Sequence, residues 1–234
     1  MIDHYDWAGG REAMLRFGPD HGPVVVLAMP LFEEANRTRA FAVTLLRLLA
    51  NDGIGGALPD LPGAGESENP VEDSSLSIWQ NSFSSAFEVA ASDRPGHVAA
   101  LRGGCLVTGG AVAQSRWLMA PVGGEAIVRD LVRARQAADR ETGTAFDADS
   151  IDQDGPPIEL TGHVLPRPLL RSLRTAEPDA AAPCRVVRLD GDPRPADLYV
   201  AGAPLWRRSE PGDDPALAAT LAVDLAQWVR QCAG

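Results

Sequence analysis

The feature that most constrains this chain is Val24-Val25-Val26-Leu27-Ala28, a continuous apolar run entered through Gly22-Pro23. A strand without polar alternation needs apolar cover on both faces, which places it centrally in a parallel sheet. The surrounding sequence repeats the unit. Ala13 to Phe17 alternates as an earlier, more exposed strand. After Ala28 comes a polar loop, Phe32 to Asn36, and then Arg37 to Ala50 carries Phe41, Leu45, Leu48 and Leu49 at helical spacing. Ile54 to Leu58 reads as a strand and Leu76 to Ala91 as a helix with Ile78, Trp79, Phe83, Phe87 and Ala90 as its apolar stripe. His97 to Leu101 is the next strand, Gly103 to Gln114 the next helix, and Arg116 to Ala120 a further strand. Strands alternating with helices predict βαβ units and a doubly wound, mostly parallel α/β sheet.

The rhythm breaks in the middle. Glu125 to Arg140 is an arginine-rich helix, Thr142 to Pro157 is acidic and rich in Gly and Pro, Ile158 to Thr161 is a weak strand, and Pro166 to Arg174 is a short helix. Residues 121–176 are therefore expected to form a small helical insertion over one edge of the sheet, a lid on a single domain spanning 1–234. Two strands, Cys184 to Leu189 and Leu198 to Ala201, and an amphipathic helix, Asp214 to Gln231, resume the pattern. Asp213-Asp214-Pro215 puts acid and proline where the first turn of that helix favours them.

Composition removes several functions. The 21 basic residues are all arginine and face 32 acidic ones, a net charge of −11 that repels phosphate backbones and argues against nucleic acid as a partner. Cys105, Cys184 and Cys232 are too few and too scattered for a disulfide framework or a zinc cluster, so a reducing, cytoplasmic setting is expected. Metal-ligand spacing, dinucleotide fingerprint and phosphate loop are all lacking, and no cofactor is expected. No apolar run reaches the ~18 residues that span a bilayer. Met1 to Gly10 carries Asp3 and Asp6 and does not read as a signal peptide.

In open α/β sheets the ligand lies beyond the carboxyl ends of the strands. Four loops meet there: Pro30 to Asn36, Asp60 to Ser67, Arg102 to Cys105, and the segment after Leu189. The loop Asp60-Leu61-Pro62-Gly63-Ala64-Gly65-Glu66-Ser67 resembles the one after an early central strand in the α/β-hydrolase superfamily, where it shapes the site. In that superfamily a strand runs into a sharp turn, G-x-S-x-G, that presents the nucleophile. Here the frame reads Ala100-Leu101-Arg102-Gly103-Gly104, with arginine where the serine belongs. A guanidinium stays protonated and offers no lone pair, which excludes serine-type acyl transfer at this position. The four histidines, His4, His21, His97 and His163, all precede Leu198, so none stands where the triad base is expected. Asp190 and Asp192 occupy the place of the triad acid.

Pro30-Leu31-Phe32-Glu33-Glu34-Ala35-Asn36-Arg37-Thr38-Arg39, the Asp60 loop and the arginine elbow together resemble the exosortase A system-associated hydrolases of the second type. That group carries a P-F-x-E-E-x-N-x-x-R string and a G-L-R-L-G elbow; this chain has Ala100 for the first elbow glycine and Gly103 for the leucine. The resemblance covers most of residues 20–215 and implies that Arg102 is a family trait. It also implies a setting beside exopolysaccharide synthesis and the sorting of extracellular proteins.

Glu33, Glu34 and Arg102 are the candidate reactive groups, with Asn36, Arg39 and Cys105 as candidate ligand contacts. Arginine and carboxylate at this range tend to pair bidentately. The ordinary outcome is a structural pair of Arg102 with Glu33 or Glu34 that plugs the pocket. The sharper one is an Arg102 that binds a substrate anion while a glutamate acts as acid or base. Asn36 and Arg39 either orient those glutamates or begin the helix. A helix N-terminus and an arginine would lower the Cys105 thiol pKa, but its register does not match an elbow nucleophile and the ordinary reading is a small buried cysteine. Arg129, Arg133, Arg135 and Arg140 read as a solvated face answering Asp147 to Asp154, and Trp79 and Trp206 as core aromatics. Two functions follow: an altered hydrolase-like protein binding a small anionic ligand or a protein of the exosortase and exopolysaccharide system, or a working ester or thioester hydrolase using Glu33, Glu34, Cys105 or His163.

Overall fold

The computed structural model describes residues 1–233, apart from the side chain of residue 142. Two antiparallel strands open the chain, Ile2–Trp7 (β1) and Gly10–Phe17 (β2). The first lies within the stretch read only for targeting signals; its Asp and His residues hide a strand that owes its place to pairing with β2. Val24–Ala28 (β3) is buried at every position. It leads into helix Glu33–Asn51 (α1), strand Gly55–Pro59 (β4), helix Leu76–Ala91 (α2) and strand Gly96–Leu101 (β5). Ser115–Met119 (β6) follows, then helix Gly124–Thr142 (α3). A small hairpin of Ile158–Leu160 (β7) and His163–Leu165 (β8) precedes helix Arg167–Arg174 (α4). Cys184–Leu189 (β9), Leu198–Val200 (β10) and helix Pro215–Cys232 (α5) complete the chain.

Eight strands form one sheet in the order β1-β2-β4-β3-β5-β6-β9-β10. From β4 through β10 neighbouring strands are parallel, and the antiparallel pairs of this sheet are β1 with β2 and β2 with β4. The doubly wound, mostly parallel α/β sheet is thus as expected. Side chains along β3 alternate between two cores, because successive residues of a strand face opposite ways. Val24, Val26 and Ala28 join Trp79, Phe83 and Phe87 of α2 and Leu169, Leu170 and Leu173 of α4. Val25 and Leu27 join Phe41, Leu45 and Leu49 of α1 and Leu217, Leu221 and Leu225 of α5. Each fully buried Leu or Phe contributes roughly 1.5–3 kcal/mol of hydrophobic stabilisation. On the α5 side the buried Asp224 accepts hydrogen bonds from Trp117 Nε1 at 2.8 Å and from Arg185, so its carboxylate is satisfied.

Two local expectations are corrected. No α-helix spans 103–114; a short 3₁₀ turn, Arg102–Leu106, gives way to irregular chain. The segment holds Gly103, Gly104, Gly109 and Gly110, and its side chains turn inward: Cys105 Sγ donates to the Arg102 carbonyl and Thr108 Oγ1 to the Cys105 carbonyl. Helix α1 begins at Glu33 instead of Arg37, so Glu33 and Glu34 lie in its first turn, where the helix dipole favours acid. The weak strand expected near Ile158 does form, and it pairs with β8 outside the main sheet.

The winding sets where a site can form. From β3 the chain crosses to β4 through α1 on one face and returns to β5 through α2 on the other. The strand order therefore reverses at the β3 and β5 boundary, which opens a crevice beyond their carboxyl ends.

Candidate functional site

Three non-glycine residues with positive φ stand just past adjacent strand ends: Phe32 after β3 (58°), Arg102 after β5 (53°) and Ala120 after β6 (48°). Each such conformation costs on the order of 1–3 kcal/mol and persists only where its surroundings hold it. At Arg102 they do so tightly. Gly104, two residues on, has no room for a side chain, since a Cβ would sit 2.5 Å from the carbonyl oxygens of Ala28 and Met29. The bend after β5 is therefore packed hard against the end of β3.

Arg102 occupies the tip of that bend. Its Nε donates to Glu34 Oε2 at 3.2 Å, its second terminal nitrogen to Glu34 Oε1 at 3.1 Å, and the other to the Ala120 carbonyl at 3.3 Å. The bidentate partner is Glu34, and the choice left open by the sequence is closed. The Arg102 side chain is 10% exposed and that of Glu34 27%. The guanidinium carbon lies 4.7 Å from the centroid of Trp206, whose ring gives the pair a cation–π cover while packing against the edge of the α1 and α5 core.

The other glutamate turns away. Glu33 Oε1 lies 3.3 Å from His163 Nε2, off the line of a hydrogen bond, and the imidazole packs 5.5 Å from the Phe32 ring. Strand β8 thus carries His163 to the crevice. Arg39 orients neither glutamate. It donates to Asp60 Oδ1 at 2.7 Å and Oδ2 at 3.4 Å, and the Glu66 backbone N–H donates to the same carboxylate at 3.2 Å. Gly65 is required beside it, because at φ 63° a Cβ would run into the Asp60 carboxylate. Ser67 ties the loop down, accepting from the Gly63 N–H and donating to the buried Glu12. Asn36 is exposed at the rim of this region.

The triad positions hold other arrangements. Asp192 is clasped by Arg194 at 2.6 Å and by Arg188 at 3.3 Å, and the Arg194 hydrogen bond holds its carboxyl well below the usual carboxylate range. The loop after β10 contributes no imidazole; its Trp206 carbonyl accepts from Arg37. Cys105 is fully buried, and burial pushes its thiol up to about 11, against the lowering expected from a helix N-terminus that does not form. The arginines of α3 do not answer the acidic segment: Arg135 pairs with Asp139 and Glu159, while Asp152 and Asp154 pair with Arg174 and Arg171 of α4. Among the described residues no three His, Cys, Asp or Glu side chains group to hold a metal ion, and no helix is long and apolar enough to cross a membrane.

Two cavities flank the elbow. One of about 380 Å³ is bordered by Arg102, Glu34, Arg37, Ile127 and Trp206. The other, of about 270 Å³, lies on the β4 side between Phe32, Trp79, Arg39, Asp60 and His163. His163 entered the sequence reading only through the working-hydrolase alternative and Trp206 only as an apolar aromatic; their distance along the chain concealed their places beside the elbow.

No family model matches this sequence, and no curated protein does. Solved structures do match its shape. Est1E from Butyrivibrio proteoclasticus, in a structure with ferulic acid bound, aligns over 98% of this chain and 99% of its own at 13% identity and a TM-score of 0.62. Alpha/beta hydrolase domain-containing protein 10 from mouse aligns over 99% of both chains at 12% identity and a TM-score of 0.61. An α/β serine hydrolase without lid from Xanthomonas campestris aligns over 99% of this chain and 92% of its own at 12% identity, with a TM-score of 0.53. The chain has the α/β-hydrolase fold.

Proposed function

We propose that this chain uses the α/β-hydrolase fold to bind and not to hydrolyse, with Arg102 standing where a hydrolase carries its nucleophile. One observation carries the reading: the tip of the strained bend after β5 is a guanidinium already closed by Glu34 in two hydrogen bonds. A guanidinium cannot attack a carbonyl, no histidine follows β10 to serve as base, and Asp192 at the acid's place is engaged by Arg194 and Arg188. The resemblance of the Pro30 to Arg39 string and the arginine elbow to the exosortase A system-associated hydrolases supports a small anionic ligand or a protein of the exopolysaccharide and sorting machinery as the bound species. An anion reaching Arg102 must displace Glu34, so such a ligand competes with a carboxylate of the protein itself.

The test is a panel of short and long ester and thioester substrates on wild type and on Arg102→Ser. Neither protein should turn them over, because a restored hydroxyl has no histidine in the loop after β10 to take its proton. Glu34→Gln should make the protein respond to inorganic phosphate with a rise in melting temperature that Arg102→Ala lacks. Wild-type hydrolysis abolished by Arg102→Ala would refute the reading.

A second reading rests on the Glu33 and His163 contact at 3.3 Å. A carboxylate beside an imidazole can activate water without a covalent step. Turnover lost in His163→Ala and kept in Arg102→Ala would establish it.

A further inference from the structure

We infer that the cavity of about 270 Å³ on the β4 side of the elbow is a binding pocket for a small, uncharged, ring-bearing molecule with a hydroxyl group. Its size lies just below the ~300 Å³ at which ligand pockets usually begin, which restricts the occupant to a small molecule. The walls are Leu31, Phe32, Trp79 and Phe83. Phe32 and Trp79 meet edge to face at 5.9 Å, so the wall presents ring surfaces in the geometry that accepts a further planar ring. Trp79 is held in place by donating Nε1–H to the Pro62 carbonyl at 2.9 Å, and is not free to collapse into the space.

Charge decides the rest. Arg39 and Asp60 line the cavity as a pair and neutralise each other. With each charge held by the other, neither Asp60, 5% exposed, nor Arg39, 34% exposed, is left to compensate the desolvation of a ligand ammonium or carboxylate. Excluding both leaves a neutral ligand. The polar contact comes from His163, which also lines the cavity: its Nε2 is buried and has no hydrogen-bond partner, despite lying close to Glu33. An unmatched buried nitrogen is costly, and a hydroxyl satisfies it in either tautomer, since it both donates and accepts.

The inference goes beyond the binding reading, since it concerns a neighbouring pocket and a neutral ligand instead of an anion at the elbow. The probes are phenol, toluene, benzoate and benzylammonium, titrated at pH 7 by ligand-observed saturation-transfer NMR. Phenol should bind about fivefold more tightly than toluene, the worth of one hydrogen bond, and at least about tenfold more tightly than either ion. His163→Ala should erase the advantage of phenol over toluene. Ala35→Phe, which fills the cavity from α1, should abolish binding, and Ala64→Leu does the same from the opposite loop if the first variant fails to fold. No phenol binding, equal binding of phenol and benzoate, or binding untouched by both filling variants would overturn the proposal. Ester turnover, by contrast, sinks the non-catalytic reading and leaves these titrations standing.

Discussion

Helix α1 contributes to two arginine–carboxylate pairs, and they are built in opposite senses. It supplies the acid, Glu34, to Arg102 and the base, Arg39, to Asp60. At the elbow the arginine is the deeper partner, 10% exposed against 27% for Glu34. At the β4 side the carboxylate is the deeper one, 5% against 34% for Arg39. The first pair fills the tip of the strained bend under a tryptophan ring; the second forms one wall of an open cavity. The same chemistry thus occupies the bend tip beside the cavity of about 380 Å³ and walls the cavity of about 270 Å³. In each pair the shallow partner can return to water when its mate is lost, whereas the deep one cannot.

That asymmetry predicts unequal losses. Glu34→Ala strands a nearly buried guanidinium and should cost about 3 kcal/mol, the low end for breaking a buried pair. Arg102→Ala leaves Glu34 able to reach solvent and should cost about 1 kcal/mol. On the other side Arg39→Ala strands Asp60, which keeps the Glu66 N–H, and about 2 kcal/mol is expected. Asp60→Asn, which keeps that contact and frees Arg39 to water, should cost less than Arg39→Ala. Urea midpoints of the four variants check the order. Equal losses within a pair would show that depth does not govern these interactions.

Much of this arrangement was written in local sequence and part of it could not be. The unbroken apolar run of β3, the stripe of α2 and the arginine in the elbow frame are signals carried by neighbouring residues, and the structure bears out each as an element or position. The pairing of Arg102 was legible down to two adjacent glutamates. The choice between them depends on where α1 begins, a boundary set by Phe32 with its positive φ and not by periodicity. The helix expected over 103–114 failed because Leu106, Val107 and Ala111 have helical spacing, but side-chain bonds from Cys105 and Thr108 and four glycines divert the backbone. Trp206 and His163 reach the crevice from the segment after β10 and from the β8 hairpin. No local pattern reports contacts made across so much chain.

Acid would blur the comparison of the two pairs unless the far end of β5 is taken into account. His97 is 1% exposed, its Nδ1 lies 2.8 Å from Ser115 Oγ, and burial lowers its pKa from 6.5 to about 4. Between those values the unfolded chain holds a proton that the folded chain refuses, so stability is full above pH 6.5 and falls as pH drops toward 4. The slope is at most about 1.4 kcal/mol per pH unit. Urea unfolding at pH 7 and pH 5 should show a loss of about 2 kcal/mol in wild type, and His97→Asn should flatten it. An unchanged slope in that variant would move the acid sensitivity to the carboxylate pairs.

The smallest expected effect separates the two pairs most directly, because only the elbow arginine has a ring over it. The Arg102 guanidinium carbon sits 4.7 Å from the Trp206 centroid, while Arg39 makes no such contact among the described residues. For a cation this far from water the ring is worth about 1 kcal/mol. Trp206→Leu keeps apolar cover, removes the quadrupole and leaves the backbone carbonyl that Arg37 uses, so its cost should be about that amount. The loss should grow in a Glu34→Ala background, where the uncompensated guanidinium has only the ring and the Ala120 carbonyl to face. The same substitution combined with Arg39→Ala should be additive, since no contact joins them. A Trp206→Leu cost identical in all three backgrounds would reduce the ring to apolar cover and leave Glu34 alone to hold the elbow shut.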